Sequence, residues 1–325
     1  MKQIPYEYKN LPIPGGGYVT GFLYHPRQRD VLYARTDIGG TYRFDAKNQK
    51  WISLISHVTM GDLSETFPIA IALDYNAPNR LYIACGEGER SGKNGVLAIS
   101  EDYGEHFHYE EIPVFVHGNL NGRGTADRLW VDQKDANTLY YASQQDGLLL
   151  THDLGHTWSK VTSLSEKYLT FVTQTGEALI VGTAGVTTGT EQMRGHSLYI
   201  SYDKGQHFEQ IAEPASRVIE GCKRNGLVAQ RYAVDDQYLY VTFASTGRRS
   251  YVIENGYSCD SGDTIDGRIA RYTLQADGTI GDFLEITPVT SSNTTGVNLP
   301  QTAVGEALDF GFSGISVSAQ TPGLV

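Results

Sequence analysis

With 325 residues, 40% of them hydrophobic, and with 36 glycines and 21 tyrosines, the chain can bury a sizeable core of short strands joined by turns, and it reads as all-β. A formal net charge of -11, with 26 Lys and Arg scattered along the chain, argues against a nucleic-acid or anionic-membrane partner and for a neutral one. No run approaches the roughly 18 apolar residues of a membrane helix. The opening MKQIPYEYKN holds no apolar signal region, so as written a cytoplasmic chain is expected. Cys85, Cys222 and Cys259, an odd number, fit free and buried thiols better than a disulfide framework.

The first predicted unit runs from Phe22 to Tyr33, strand, polar turn and strand. It leads into VLYARTDIGGTYRFD, Val31 to Asp45, where the Gly39-Gly40 pair turns one β-rich run into the next. Asp37 stands at the end of the first run beside Arg35, next to glycines that let another backbone or a ligand approach. Such a carboxylate serves either as a functional group or as a turn former. The strand-turn-strand pattern with Leu-Tyr opening the second strand returns at Ala72 to Tyr82 and at Val131 to Tyr140, and in weaker form at Phe171 to Val181 and Ala229 to Phe243.

Three turns recur behind these units at an even step of roughly 50 residues: SEDYGEHF from Ser100, THDLGHTW from Thr151 and SYDKGQHF from Ser201. In each, an aspartate (Asp102, Asp153, Asp203) can accept bonds from turn amides. A glycine (Gly104, Gly155, Gly205) can take positive φ, and an aromatic residue (Phe107, Trp158, Phe208) can pack beneath. The pattern resembles the Asp-box hairpin turn. Asp37, Gly39, Thr41 and Tyr42 fit it as an altered fourth copy, with Arg35 in place of the leading Ser or Thr. Small antiparallel sheets repeating at 40 to 60 residues, on the order of one blade each, predict a β-propeller of roughly five blades. The stretch Phe312 to Val325 repeats the opening of a blade and stops, so residues 1–325 are expected to be the front of a longer protein, with a sixth blade begun.

Taken together, GGGYVTGFLYHP (Gly15 to Pro26), ARTDIGGTYRFD (Ala34 to Asp45), GNLNGRGTADRLWVD (Gly118 to Asp132), the repeated turns and GFSGISVSAQTPG (Gly311 to Gly323) resemble glycoside hydrolase family 74. The resemblance implies two seven-bladed propellers facing each other across a cleft, and inverting hydrolysis of xyloglucan or related β-1,4-glucan oligosaccharides by one aspartate from each. Asp37 then takes the part of general base. The acid stands about 6.5–9.5 Å away on a second propeller, supplied in cis and missing from these 325 residues. This chain alone would be inactive. Family members are usually secreted and bind glucan on exposed tryptophans, whereas this chain has only Trp51, Trp130 and Trp158. Tyr18 and Tyr42 stand in as sugar platforms. Arg35, Arg123, Asp127 and Arg128 complete the substrate-binding candidates, the last pictured as paired to a carboxylate in a cleft loop.

No cofactor is expected. His106-Glu-Phe-His108 lacks a third metal ligand at a workable spacing, Asp260, Asp263 and Asp266 fit no EF-hand loop and read as solvated, and Asn121-Gly-Arg-Gly124 lacks the Lys-Ser/Thr of a phosphate loop. The competing class is a non-catalytic Asp-box propeller that binds a protein or a glycan.

Overall fold

Each predicted unit opens a four-stranded antiparallel sheet in the computed structural model, which describes residues 12–55, 65–120, 122–184, 186–187, 193–194, 197–215, 227–245, 265–287, 314–318 and 325. Blade 1 comprises β1 (Val19–Tyr24), β2 (Leu32–Thr36), β3 (Gly40–Asp45) and β4 (Lys50–Ser53). Blade 2 comprises β5 (Pro68–Leu73), β6 (Leu81–Cys85), β7 (Gly95–Ser100) and β8 (His108–Ile112), with a single helical turn, α1 (Gly88–Ser91), between β6 and β7. Blade 3 holds β9 (Leu129–Asp132), β10 (Asp135–Ala142), β11 (Leu148–Thr151) and β12 (Ser159–Lys160). Blade 4 holds β13 (Leu169–Thr175), β14 (Ala178–Thr183), β17 (Leu198–Ser201) and β18 (Glu209–Gln210), with a two-stranded insert of β15 (Val186–Thr187) and β16 (Met193–Arg194). Blade 5 holds β19 (Leu227–Val234), β20 (Tyr238–Ser245), β21 (Ile265–Leu274) and β22 (Ile280–Glu285). The five-bladed reading is borne out. Cys222, Cys259, Asp260, Asp263 and most of the Phe312 to Val325 stretch lie outside the described residues.

First strands of neighbouring blades abut one another, β5 on β9, β9 on β13 and β13 on β19, so they line the axis and the fourth strands face outward. In blades 2 and 3 both faces of the second strand are covered by adjacent blades, which is why the Leu-Tyr pairs at 81–82 and 139–140 are buried throughout; the pairs at 32–33 and 239–240 are buried as well. Four apolar clusters fill the spaces between blades. Tyr33 and Leu54 meet Leu73, Leu81 and Ile83 between blades 1 and 2; Ile69, Tyr82 and Leu97 meet Val131 and Tyr141 between blades 2 and 3. Trp130 and Tyr140 meet Val172 and Val181, and Phe171 and Ile180 meet Val241 and Phe243, at the next two interfaces.

Turns are built by short-range capping. Asp74 Oδ1 accepts from the amides of Asn76 and Ala77, Asp132 Oδ1 from Lys134, and Asp235 Oδ1 from Gln237 and Tyr238, each closing a first-to-second-strand turn. In blade 1 a histidine takes this place. His25 Nδ1 accepts from the amides of Arg27 and Gln28, so Nε2 carries the proton and donates to the Asp74 carbonyl at 3.1 Å, tying blade 1 to blade 2.

The three repeated turns have one geometry. Each joins a third strand to a fourth, with residues 103–104, 154–155 and 204–205 at positive φ. The leading hydroxyl of Ser100, Thr151 or Ser201 donates to the aspartate and accepts the glycine amide at 2.8–2.9 Å. Phe107, Trp158 and Phe208 each pack into the cluster shared with the preceding blade, so the turn clips a sheet edge to its neighbour.

Candidate functional site

Asp37 departs from that pattern. It lies between β2 and β3, a second-to-third-strand turn, whereas the repeated turns follow third strands. In an antiparallel sheet successive turns alternate ends, so Asp37 sits at the opposite end of the ring from Asp102, Asp153 and Asp203. The stretch is not a fourth copy: sequence spacing matched, but the turn differs. Here Thr36 Oγ1, not the residue at the Arg35 position, accepts the Gly39 amide at 2.8 Å.

The Asp37 side chain is drawn away from its own turn. Oδ1 accepts from the Tyr18 amide at 2.7 Å, and the Asp37 amide returns a bond to the Tyr18 carbonyl at 3.0 Å. Oδ2 faces Arg123 Nε at 3.4 Å. Two glycines permit this arrangement. A Cβ on Gly17, at φ +101°, would stand 2.7 Å from Asp37 Oδ1, and one on Gly39 would stand 2.0 Å from the Gly16 carbonyl. The carboxylate is 8% exposed, with Tyr18, 58% exposed, beside it.

Arg123 comes from the crossover between blades 2 and 3, and that crossover is held from every blade. Arg35 of blade 1 donates to the carbonyls of Arg123 and Thr125 at 3.1 and 3.0 Å, to Asp127 Oδ1 at 3.0 Å and to Thr20 Oγ1 at 2.8 Å. The Ile71 amide of blade 2 donates to Asp127 Oδ1 at 2.9 Å. Arg128 donates to the carbonyls of Ala142 in blade 3, Leu169 in blade 4 and Gly122. Thr125 Oγ1 donates to the Thr170 carbonyl of blade 4, and the Ala126 amide to the Gln230 carbonyl of blade 5. Residues 122–128 thus form a hub at the end of the ring that carries Asp37.

Several site candidates change role. Arg35 is 1% exposed and Arg128 is fully buried; both bind backbone, and neither faces a ligand. The carboxylate next to Arg128, Asp127, goes to Arg35 instead. Tyr42 is buried, its hydroxyl donating to the Gly39 carbonyl at 2.6 Å, and burial raises its pKa; it is no sugar platform. Trp51 and Trp130 are buried and Trp158 half-buried, which leaves Tyr18 as the exposed aromatic beside Asp37. Asp266 is not solvated: it turns inward to Arg268 Nε at 2.8 Å. Sequence reasoning missed Thr20, Thr125 and Gln230 in the hub, since no local motif marks them. Among the described residues no three His, Cys, Asp or Glu side chains are grouped to hold a metal, and no helix is long and apolar enough to cross a membrane.

Fold and site define a β-propeller with turn-clipped blades and one anchored carboxylate at the end opposite those clips. No family model matches the chain. It is similar to a Paenibacillus xyloglucanase, 30% identical over 333 residues that cover 98% of this chain and 30% of that protein. It is also similar to an oligoxyloglucan-reducing end-specific xyloglucanase of Emericella nidulans, 32% identical over 63% of this chain and 25% of that one. Among solved structures, a family 74 xyloglucanase from Xanthomonas campestris superposes with a TM-score of 0.66 at 27% identity, covering 89% of this chain and 40% of that chain. A family 74 enzyme from Niastella koreensis gives 0.67 at 25%, covering 86% and 38%. The chain is a propeller portion of the glycoside hydrolase family 74 type. It spans between 20% and 36% of the length of the curated relatives it matches.

Proposed function

We propose that this propeller supplies the general base, Asp37, of an inverting hydrolase acting on xyloglucan-type β-1,4-glucan oligosaccharides. The observation that carries the reading is the placement of Asp37. It does not cap its own turn, as the aspartates of the repeated turns do, and it is anchored through one oxygen to the Tyr18 amide. Oδ2, with the Arg123 cation beside it, is the oxygen that would take a water. A water held there would give its proton to Oδ2 as it attacks the anomeric carbon, while an acid on a second propeller protonates the leaving oxygen. Tyr18 would stack on a pyranose ring next to the scissile bond. The matched relatives named xyloglucanases support the substrate class.

A purely binding propeller, the competing class, gives no reason for a carboxylate at this end of the ring to be anchored outside its own turn beside an arginine. The decisive experiment is Asp37→Asn in the protein carrying both propellers, assayed on a xyloglucan oligosaccharide. Hydrolysis should fall at least about 10³-fold with ligand binding retained, because an amide keeps the shape but accepts no proton. Retained turnover would return Asp37 to a structural role. Turnover by the 325-residue chain alone would refute the division of labour between two propellers.

A further inference from the structure

A second polar site lies at the same end of the ring, in the connections β6–β7 and β8–β9. The Gly88 amide donates to the Val116 carbonyl and the Gly118 amide to the Gly86 carbonyl, both at 2.9 Å. This frames Glu87 and His117 as a directly opposed, non-hydrogen-bonded antiparallel pair. Such pairs bring Cα atoms to about 4.5 Å and place both side chains on one side. Gln144 of blade 3 clamps the His117 backbone in both directions, its Oε1 accepting the amide and its Nε2 donating to the carbonyl, each at 3.0 Å.

Glu87 is 1% exposed and His117 3%. Even so, Glu87 Oε1 and Oε2 and His117 Nδ1 have no hydrogen-bond partner among the described residues. The Asn119 amide is near enough to draw the Glu87 carboxyl down without meeting hydrogen-bond geometry. Burial pushes the Glu87 carboxyl up and the His117 imidazole down, in the direction of a neutral pair. Three unpaired polar atoms side by side would each carry a desolvation penalty of about 1–3 kcal/mol, a combination that native interiors avoid by binding something there. The partner these atoms need is a donor of O–H groups. A metal ion is disfavoured by the lack of a third ligand among the described residues.

We propose that Glu87 and His117 form a binding site for hydroxyl groups, filled by an ordered water or by the vicinal hydroxyls of a saccharide. One O–H donates to a Glu87 oxygen and a second to His117 Nδ1, which no single backbone amide can do. Phe115 covers the site. Its ring meets that of His117 edge-on at 6.2 Å, its Cβ lies against Gly88, and it is 45% exposed, which offers a sugar an apolar face next to the pair. The same crossover continues to Arg123 and so links this site to the Asp37 end of the ring.

The test uses the 325-residue chain. A crystal structure at a resolution that shows waters, with and without cellotetraose, should place an oxygen within hydrogen-bond distance of both Glu87 and His117 Nδ1. The same oxygen with and without sugar assigns water; a pyranose hydroxyl in its place assigns the saccharide. Direct Glu87–His117 contact with no oxygen between them would overturn the proposal. In parallel, Glu87→Leu should lower the urea midpoint, because it strips a bound hydroxyl of its partner, whereas Glu87→Gln should hold it near the parent value. An unchanged or raised midpoint for Glu87→Leu is what an unpaired buried carboxyl would give, and it would also overturn the proposal. Should Glu87→Leu not fold, Glu87→Gln and the parent structure decide: a Gln variant more stable than the parent would count against a bound donor.

Discussion

Arg35 Nε donates to Asp127 Oδ1 at 3.0 Å, joining the second strand of blade 1 to the start of blade 3. The two residues stand 92 positions apart in the sequence. Through this bond and its bonds to the Arg123 and Thr125 carbonyls, Arg35 sets the backbone that brings the Arg123 guanidinium to Asp37.

Arg35→Met should therefore destabilise the fold by about 3–5 kcal/mol, because it strips the Arg123 and Thr125 carbonyls of their donor and leaves the half-buried Asp127 carboxylate without its cation, held by the Ile71 amide alone. Urea denaturation measures it. A loss below about 1 kcal/mol would mean that the pair behaves like a surface ion pair and is not the hub described.

Stability should fall at both ends of the pH scale through the repeated turns. Bonds from Thr157 and Thr151 hold the Asp153 carboxyl down to about 2 from its ordinary 3.8. Its contribution is therefore complete above pH 3.8 and lost as pH falls toward about 2. His106 is shifted the other way, raised by its bond to Asp102, so its contribution is complete below 6.5 and lost as pH rises through its folded value. Urea midpoints against pH should show Asp153→Asn flattening the acid limb and His106→Gln flattening the change above pH 6.5. Unchanged limbs in both variants would contradict the assignment.

Gly39→Ala should open the Asp37 site without unfolding the blade. The added methyl meets the Gly16 carbonyl and must push the Gly15 to Gly17 segment away, taking the Tyr18 amide off Asp37. Hydrogen exchange at the Tyr18 amide should accelerate at least about tenfold, while amides of β6 keep their protection. Equal protection at Tyr18 in both proteins would show that the segment is not held by this contact.

Cys85 should resist alkylation in the native chain. It is buried, and burial raises its thiol well above the ordinary value, so little thiolate forms. In a Cys222→Ser, Cys259→Ser background, labelling by iodoacetamide should follow global unfolding across a urea series. Labelling in the absence of urea at the rate of a free thiol would place Cys85 at the surface.

The repeated turns were legible from the sequence because every bond that builds them spans at most four residues. Ser100, Asp102 and Gly104 carry their own geometry, and the step of roughly one blade between copies carried the propeller. The Leu-Tyr pairs were legible for a related reason, since a middle strand is apolar on both faces where neighbouring blades pack against it. Asp37 was singled out as unlike a common turn residue, yet its setting was misread. The spacing Asp-x-Gly-x-x-aromatic is shared by two turns that lie at opposite ends of a blade, and spacing alone does not record which strands a turn joins.

What tertiary structure decided are the contacts between blades. Arg35 looked like a ligand-facing cation because an arginine near an aspartate is usually exposed; its donors are matched by oxygens 88 to 92 residues away, which bury it. Tyr42 was turned inward by the Gly39 carbonyl, and Glu87 was set opposite His117 by two backbone bonds across a gap of thirty positions. The sequence by itself determined the blades, because their strands and clips rest on bonds between near neighbours. The site was decided by the packing of the blades: arranging five sheets around one axis brings together residues whose separation along the chain leaves no periodic trace.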